Sequence, residues 1–312
     1  MDTKTDLFIW NVSNRCGSGC KFCSRSALEH KGVFDTKYTS AVLKYIDALS
    51  PRQVSLEGNH PEIPMLVEEC AKLCPTSIQC SPEFYSEELY QQLQGSLKSI
   101  IFSVDSLSAA QHEGARDGDS HFDRLMHKID LARQYQLPIS ILCPLHVGNV
   151  GEIEAIVQYA VRNQFRLVSF LYTTTFGTNG FAGSLSPEQW AEAVEIIREV
   201  KARLHGETYV VYEPVFEHIA KEQLQCVCAK GSQVALTPEG DLLDCSLFFS
   251  CNSAAKHSYG NIMSGSFEEV IKKYQVHRHA TSTYEACPLL NALPHSEVPY
   301  SGLRCYAHWE GF

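Results

Sequence analysis

Residues 13–23 read SNRCGSGCKFC and follow directly on an apolar run, LFIWNV, at positions 7–12. The apolar run predicts a strand. The three cysteines, Cys16, Cys20 and Cys23, lie four and three residues apart on a loop that two glycines loosen. Such a loop can place three thiolates on three corners of an iron–sulfur cube and leave the fourth iron without a protein ligand. We therefore expect a cluster with one open coordination site directly after the first strand.

Two other interpretations of this loop stay open. Structural zinc sites close a tetrahedron with four protein ligands, usually supplied by paired Cys-x-x-Cys motifs or by cysteine and histidine pairs. The three cysteines have no fourth partner nearby, and the nearest histidine is His30. The cysteines could also be unrelated core residues, but a glycine-flanked loop offers little core in which to pack them. Both alternatives fit the pattern less well than a cluster does.

The spacing Cys-x-x-x-Cys-x-x-Cys, with the aromatic Phe22 just before the last cysteine, resembles the signature of the radical S-adenosylmethionine (radical SAM) enzymes. The resemblance implies that Cys16, Cys20 and Cys23 hold a [4Fe-4S] cluster and that Phe22 lies in the cofactor site. In this family the open iron binds S-adenosylmethionine, and one electron from the cluster cleaves it to methionine and a 5′-deoxyadenosyl radical. The radical then takes a hydrogen atom from an unactivated C–H bond. We expect a flavodoxin- or ferredoxin-type protein as the electron donor.

Composition argues against several other classes of protein. The chain has 312 residues and a formal net charge of −10, whereas nucleic acids and anionic membranes bind basic surfaces. No apolar run reaches the roughly 18 residues that a membrane span needs, and the first six residues, MDTKTD, lack the apolar core of a signal peptide. We therefore expect a cytoplasmic protein with no nucleic-acid or membrane partner. Its 13 cysteines then indicate reduced thiols that serve as metal ligands.

Helical and strand-like periods alternate along the chain after the cysteine loop. Strand-like stretches lie near residues 53–57, 77–80, 99–104, 139–143 and 167–172. Helical stretches lie near residues 39–49, 64–73, 86–93, 121–135, 151–163 and 187–204. This alternation predicts a parallel sheet with right-handed crossovers. With the family resemblance, it predicts an α/β fold: a partial (β/α)6 TIM-like barrel over residues 1–212, followed by a small α+β extension over residues 213–312.

Glycine and polar residues follow the second predicted strand. In parallel α/β barrels the chemistry gathers at the carboxyl ends of the strands, and this end reads Gly58-Asn59-His60-Pro61. Radical SAM enzymes commonly carry Gly-Gly-Glu-Pro here, whose backbone binds the amino group of the cofactor. Gly58 and Pro61 match that pattern, whereas Asn59 and His60 depart from it. We expect Gly58, Asn59 and His60 to contact S-adenosylmethionine; a simple Gly-Pro turn is the alternative.

The fourth predicted strand ends in Ser103-Val104-Asp105, and Arg116 follows downstream. The family often has Ser-x-Asp at this strand end, with an arginine further along the chain. The resemblance implies that Ser103 and Asp105 face the cofactor and that Arg116 pairs with its carboxylate as a bidentate donor. The alternative is that Asp105 caps the next segment and that Arg116 is solvated.

A second set of cysteines lies in the last third of the chain. The runs at 234–236 and 242–244 flank a Pro-Glu-Gly turn and predict a β-hairpin, which would bring Cys228 and Cys245 close together. Cys228, Gly240 and Cys245 resemble the signature of the C-terminal twitch/SPASM extension of radical SAM enzymes, which implies an auxiliary [4Fe-4S] cluster. The expected ligands are Cys228, Cys245, Cys287 and Cys305, with Cys226 or Cys251 as possible substitutes. Zinc is the alternative for this second site as well.

Cys251 is the expected catalytic residue. A thiol S–H bond is weak enough to yield a hydrogen atom, so Cys251 could requench a substrate radical and invert a stereocentre; an inert cysteine or a cluster ligand is the alternative. Because the motif begins at residue 16, we expect the chain to lack the N-terminal recognition domain that peptide-modifying relatives usually carry. The resemblance then implies a polar small-molecule substrate, sugar- or aminoglycoside-like, and favours epimerisation. Alcohol dehydrogenation through the auxiliary cluster, modification of a ribosomal peptide and a non-enzymatic metal-binding module are the alternatives.

Overall fold

The structure, a computed structural model, describes residues 5–23, 35–116, 120–173, 183–204, 206–212, 233–244 and 258–279. The strands are β1 (Leu7–Asn11), β2 (Gln53–Glu57), β3 (Thr76–Gln79), β4 (Ser99–Ser103), β5 (Ile139–Leu145), β6 (Leu167–Tyr172), β7 (Tyr209–Tyr212), β8 (Gln233–Leu236), β9 (Asp241–Leu243) and β10 (Ser258–Asn261). The helices are α1 (Thr36–Leu49), α2 (Ile63–Ala71), α3 (Glu87–Leu93), α4 (Ala109–Gly114), α5 (His121–Gln134), α6 (Ile153–Arg162), α7 (Pro187–Ala202) and α8 (Phe267–His279). Short 3₁₀ helices lie at Pro82–Phe84 and Val150–Glu152.

The described residues group into two compact units. The first unit takes those within residues 1–14, 28–76 and 214–312, and the second takes those within 15–27 and 77–213. The domain division expected from the sequence, between residues 212 and 213, stays a prediction.

The first unit contains a mixed sheet with the strand order β10-β9-β8-β1-β2. β1 pairs in parallel with both β2 and β8, and β8, β9 and β10 pair with one another in antiparallel fashion. The β8–β9 pair is the hairpin that the sequence predicts, and Gly240 in its turn takes φ 92°. Phe8 and Trp10 of β1 are fully buried, as expected of a strand that has a partner on each side and is covered on its faces.

The second unit contains a parallel sheet with the strand order β3-β4-β5-β6-β7. Each described pair, from β3–β4 to β6–β7, runs in parallel. Parallel neighbours need a crossover between them, and α3, α5, α6 and α7 lie in those connections. The strands are rich in buried apolar side chains, among them Ile100, Phe102, Ile141, Val168 and Phe170.

Local sequence explains where the longest of these helices begins. Ser186 accepts a hydrogen bond from the backbone N–H of Gln189, whose side chain reaches back to the Ser186 backbone, so the pair forms a capping box. The buried face of α7 then repeats at helical spacing through Trp190, Val194 and Ile197. No helix in the described part of the chain is long and apolar enough to cross a membrane.

The backbone segments that leave β1 and β2 lie in close contact. The register pairs Asn11 with Glu57, and the N–H of Val12 donates to the carbonyl of Glu57 at 2.8 Å. One residue further along, Gly58 takes φ +98°, and a Cβ built on it would lie 2.0 Å from the carbonyl oxygen of Ser13. Only glycine fits this position, because the backbone of Ser13 occupies the space of any side chain.

We expect Gly58→Ala to destabilise the fold by more than Gly95→Ala does. Gly95 also has a positive φ, of +75°, but nothing lies within 4 Å of a Cβ added there. Its replacement should therefore cost only the left-handed backbone penalty, about 1–2 kcal/mol. Gly58→Ala should add an overpacking cost of about 1–3 kcal/mol.

Denaturant unfolding of the two variants and the wild type measures the difference. Equal losses of unfolding free energy in Gly58→Ala and Gly95→Ala would contradict the close approach of Ser13 to Gly58.

Candidate active site

The three cysteines of the loop after β1 lie in the second unit. All three have free thiols. Cys16 is exposed, and Cys20 and Cys23 are half-buried. The loop turns between the last two, where the N–H of Cys23 donates to the carbonyl of Cys20 at 3.1 Å. Gly19, just before this turn, takes φ 53°, a conformation that costs glycine little. The loop therefore presents sulfur atoms that a metal centre can reach.

This donor set fits an iron–sulfur cluster better than a single metal ion. Among the residues that the structure describes, no group of three or more His, Cys, Asp or Glu side chains lies close enough together to hold one ion. A cluster binds its cysteines through different irons, so their sulfurs need not converge on one point. Three cysteines without a disulfide between them can bind three corners of a [4Fe-4S] cluster, whereas a closed zinc tetrahedron needs a fourth protein ligand.

Backbone contacts tie the loop to the segment that follows α4. Cys20 and Arg116 form an isolated antiparallel bridge, and the N–H of Lys21 donates to the carbonyl of Ala115 at 3.0 Å. The Lys21 ammonium donates to the carbonyl of Gly114 at 2.9 Å, one of the carbonyls that the end of a helix leaves without an intrahelical partner. The end of α4 and the residues that follow it therefore position the second cysteine.

A buried ion pair lies beside that cysteine. Arg116 Nε donates to Asp105 Oδ2 at 2.8 Å, and Nη2 donates to Oδ1 at 2.7 Å; the Arg116 and Asp105 side chains are 1% and 0% exposed. Nη2 also donates to the Ser103 hydroxyl at 3.2 Å, and Nη1 donates to Cys20 Sγ at 2.8 Å. The structure thus brings Ser103, Asp105 and Arg116 together beside a cysteine of the loop. Their burial excludes the alternative of a solvated Arg116.

The guanidinium has few donors left for another ligand. Arginine carries five N–H groups, and four hydrogen bonds from Arg116 reach Asp105, Ser103 and Cys20. A bidentate contact between Arg116 and the cofactor carboxylate stays a prediction, and it would require the pair with Asp105 to rearrange. The Phe22 ring lies near the same group, with its centroid 5.9 Å from the guanidinium carbon.

Burial governs the electrostatics of this cluster of side chains. It raises the pKa of the Cys20 thiol to about 12, and the neighbouring Arg116 guanidinium opposes that shift. Burial alone would lower the pKa of Arg116, but Asp105 and the nearby thiols raise it above its ordinary value. A thiol that coordinates a metal is deprotonated outright. A Cys20 thiolate would therefore be stabilised both by the metal and by the N–H group that Arg116 directs at it.

The backbone of Asp105 is also fully engaged. Its N–H donates to His112 Nδ1 at 3.3 Å, and its carbonyl accepts from Asn149 Nδ2 at 2.6 Å. Just beyond it, the Glu152 carboxylate accepts from the Ser106 hydroxyl at 2.6 Å and from the N–H of Leu107 at 2.8 Å. These contacts hold the β4–α4 connection, and with it the Asp105 carboxylate, in one position.

Two buried histidines extend this network from α4 to α5. The rings of His112 and His121 stack at 5.0 Å, and His112 Nε2 lies 2.9 Å from His121 Nδ1. Because His112 Nδ1 accepts from the backbone of Asp105, its proton is on Nε2 and is donated to His121 Nδ1. His121 then carries its own proton on Nε2, a buried atom without a hydrogen-bond partner among the described residues. Burial lowers the pKa of both histidines to about 4, so both rings are neutral at pH 7.

The residues predicted after the second strand lie in the first unit. Gly58 makes the close approach to Ser13 described above, Asn59 is half-buried, and His60 Nδ1 accepts from the backbone N–H of Glu62 at 3.2 Å. Their contacts with the cofactor stay predictions.

The second cysteine set lies outside the described residues. This applies to the predicted ligands and their substitutes and to the predicted catalytic residue Cys251; the cysteines concerned are Cys226, Cys228, Cys245, Cys251, Cys287 and Cys305. Gly240 of the associated signature is described, and its N–H donates to the carbonyl of Thr237 at 3.0 Å. The auxiliary cluster and the role of Cys251 stay predictions.

Sequence reasoning did not find the residues that support the ion pair. His112, His121, Asn149 and Glu152 carry no motif, and a lone histidine on a helix is usually a core or surface residue. The available signal was weak: Asn149 lies in the short polar segment after β5, at the same end of the sheet as Asp105.

Known proteins with similar sequences support the interpretation of the cysteine loop as a radical SAM motif. The model of the Radical SAM superfamily matches residues 10–160. PqqA peptide cyclase of Methylorubrum extorquens (strain PA1) is 23% identical over 252 residues, which cover 75% of this chain and 64% of that protein. PqqA peptide cyclase of Rhizobium meliloti (strain 1021) is 21% identical over 314 residues, which cover 95% of this chain and 81% of that protein. The chain thus spans less than two thirds of the first of these relatives.

Solved structures show the same fold. Streptococcus suis SuiB bound to S-adenosylmethionine superposes with a TM-score of 0.74 at 15% identity, and the match covers 93% of this chain and 72% of SuiB. Native anSMEcpe with bound AdoMet gives a TM-score of 0.65 at 15% identity and covers 87% of this chain and 82% of that chain. This likeness confirms the predicted fold class: a mixed α/β fold with an unclosed partial barrel and a C-terminal extension.

We expect the stability of the protein to fall as the pH decreases from about 6.5 towards about 4, in part because of the histidine pair. The pKa of each ring lies below the ordinary value of 6.5 in the folded state. In that window the unfolded chain binds protons that the folded chain does not, so acid favours unfolding. His121→Phe keeps an aromatic ring in the stack and removes one titrating group, so its stability should depend less steeply on pH.

Thermal unfolding midpoints measured across this pH range test the expectation. His127→Gln, which replaces an exposed histidine of the same helix, is the matched control. A His121→Phe variant with the same pH dependence as the wild type would count against a buried, neutral pair.

Proposed function

We propose that this chain is a radical SAM protein and that it modifies a ribosomally made peptide by radical chemistry. The proposal of a peptide substrate rests on the names of the relatives: proteins named PqqA peptide cyclase match 75% to 95% of this chain. The cysteine loop supports the radical chemistry, because its spacing, its free thiols and its fit to a cluster agree with the family.

The resident cofactors of the family are a [4Fe-4S] cluster and S-adenosylmethionine, which when bound supply a carbon-centred radical that removes hydrogen from a C–H bond. Cys16, Cys20 and Cys23 would hold the cluster. The buried pair of Asp105 and Arg116 holds Cys20 in position from one side, through the backbone bridge and the contact with its sulfur. We propose a flavodoxin- or ferredoxin-type reductant as the partner, since the chemistry needs one electron from outside the chain.

The relatives support a peptide substrate better than the polar small molecule that the sequence analysis favours. A small-molecule substrate is suggested by the position of the motif at residue 16 and by Cys251 as a hydrogen donor. The relatives are named as cyclases of a peptide, and Cys251 lies outside the described residues. Epimerisation or dehydrogenation of a sugar- or aminoglycoside-like compound therefore becomes an outcome of the test below.

The test follows the hydrogen atom that the enzyme removes. Anaerobically reconstituted protein with S-adenosylmethionine and a chemical reductant is incubated with a library of peptides translated in vitro from perdeuterated amino acids. Parallel reactions contain deuterated polyols, sugars or aminoglycosides. We expect deuterium in 5′-deoxyadenosine only with peptides. Transfer of label from the sugars or aminoglycosides and not from peptides would refute the proposal.

Cys20→Ala should remove the cluster that starts the reaction. We expect less iron per protein, loss of the electron paramagnetic resonance (EPR) signal that responds to S-adenosylmethionine, and formation of 5′-deoxyadenosine reduced to background. Cys74→Ala is the matched control, because Cys74 is a half-buried free cysteine outside the loop.

Iron determination, EPR spectroscopy and mass spectrometry of the nucleoside give the three readouts. A Cys20→Ala protein that retains the S-adenosylmethionine-responsive signal would exclude Cys20 as a ligand.

A further inference from the structure

We infer that Arg116 sets the reduction potential of the cluster by donating a hydrogen bond to its ligand Cys20. Arg116 acts through the ligand and not on the substrate, so it is a positioning residue. The inference rests on the cluster of the proposed function and is independent of the peptide substrate.

The first observation is the short contact between the guanidinium and the sulfur. Arg116 Nη1 lies 2.8 Å from Cys20 Sγ, well within reach of a hydrogen bond to sulfur. The donor belongs to a charged group, and hydrogen bonds from charged donors are shorter and roughly twice as strong as neutral ones. A thiolate is the natural acceptor for such a donor.

The second observation is that Asp105 orients the donor towards Cys20. The Asp105 carboxylate binds the other edge of the guanidinium in a fork, at 2.8 Å and 2.7 Å. Arginine is planar and rigid, so fixing Nε and Nη2 also fixes the direction of Nη1. The Asp105 backbone is in turn held by His112 and Asn149.

The third observation is that the ligand and the donor are joined through the backbone. Cys20 and Arg116 face each other in an antiparallel bridge, and the N–H of Lys21 donates to the carbonyl of Ala115. The two side chains therefore start from backbone positions that are already paired. The bridge therefore keeps the origins of the two side chains next to each other.

The direction of the effect follows from charge. Reduction of a cluster held by Cys20 would increase the negative charge on its sulfurs. A buried N–H donor stabilises the more negative state more strongly, and hydrogen bonds to the sulfurs are known determinants of cluster potentials. Arg116 and Asp105 compensate each other's charge, so the effect at Cys20 is that of a directed N–H group. The contact should therefore raise the reduction potential and ease reduction of the cluster.

Arg116→Lys tests the inference because it keeps a positive charge beside Asp105. A lysine ammonium cannot make the two-bond contact with Asp105 and also direct a fixed N–H group at Cys20. We expect the midpoint potential of the cluster to shift to a more negative value. The potential is measured by EPR-monitored redox titration of the reconstituted full chain, without peptide. The cluster of interest is identified in separate samples as the one whose signal changes when S-adenosylmethionine is added.

Arg133→Lys is the matched control, since Arg133 is half-exposed on α5 and pairs with Asp130. The midpoint potential of the cluster in this variant should equal that in the wild type. An Arg116→Lys protein that contains the cluster at an unchanged potential would overturn the inference.

A second measurement uses the wild-type chain and so does not depend on how the variant folds. Protein labelled with ¹⁵N in the guanidinium of arginine is reduced without S-adenosylmethionine and examined by pulsed EPR. We expect a ¹⁵N hyperfine coupling to the cluster; its absence overturns the inference. A protein that shows the coupling but takes deuterium only from sugars would leave the inference intact and refute the peptide proposal.

Discussion

The buried ion pair of Asp105 and Arg116 is the interaction on which the described site depends. Taking two charges out of water is costly, and the pair is stable only because its remaining hydrogen-bonding groups also have partners. Ser103 and Cys20 take up further donors of the arginine, and His112 and Asn149 hold the backbone of the aspartate. Loss of one charge would leave the other buried, at a cost of about 3–5 kcal/mol.

This network makes the cysteine loop part of a larger rigid assembly. A loop with two glycines has little order of its own, yet it must hold sulfur atoms at defined positions. The bridge between Cys20 and Arg116 gives it a backbone partner, and the stacked pair of His112 and His121 joins α4 to α5 behind it. The apolar strands and helices of the second unit therefore fix a polar site through a chain of short contacts.

Much of the fold follows from the sequence, and the misses have physical reasons. The strand predicted at 53–57 coincides with β2, because its apolar residues lie between clear turn signals. Helix α4 and strand β7 were not predicted from the sequence. These elements have six and four residues, too few for a hydrophobic period to show. Their positions depend on packing, since local propensity alone does not decide such short segments.

The sequence by itself determined the spacing of the three cysteines and the alternation of strands and helices, and these two features predict the family and the class of cofactor. Both are local properties, because each depends on residues that are close together in the sequence. Only the tertiary structure decided that Arg116 faces Cys20, 96 residues earlier in the chain, and that His112 and Asn149 support Asp105. Such contacts form only where folding brings strand ends and loops together, and no local pattern encodes which polar groups then meet in a buried space.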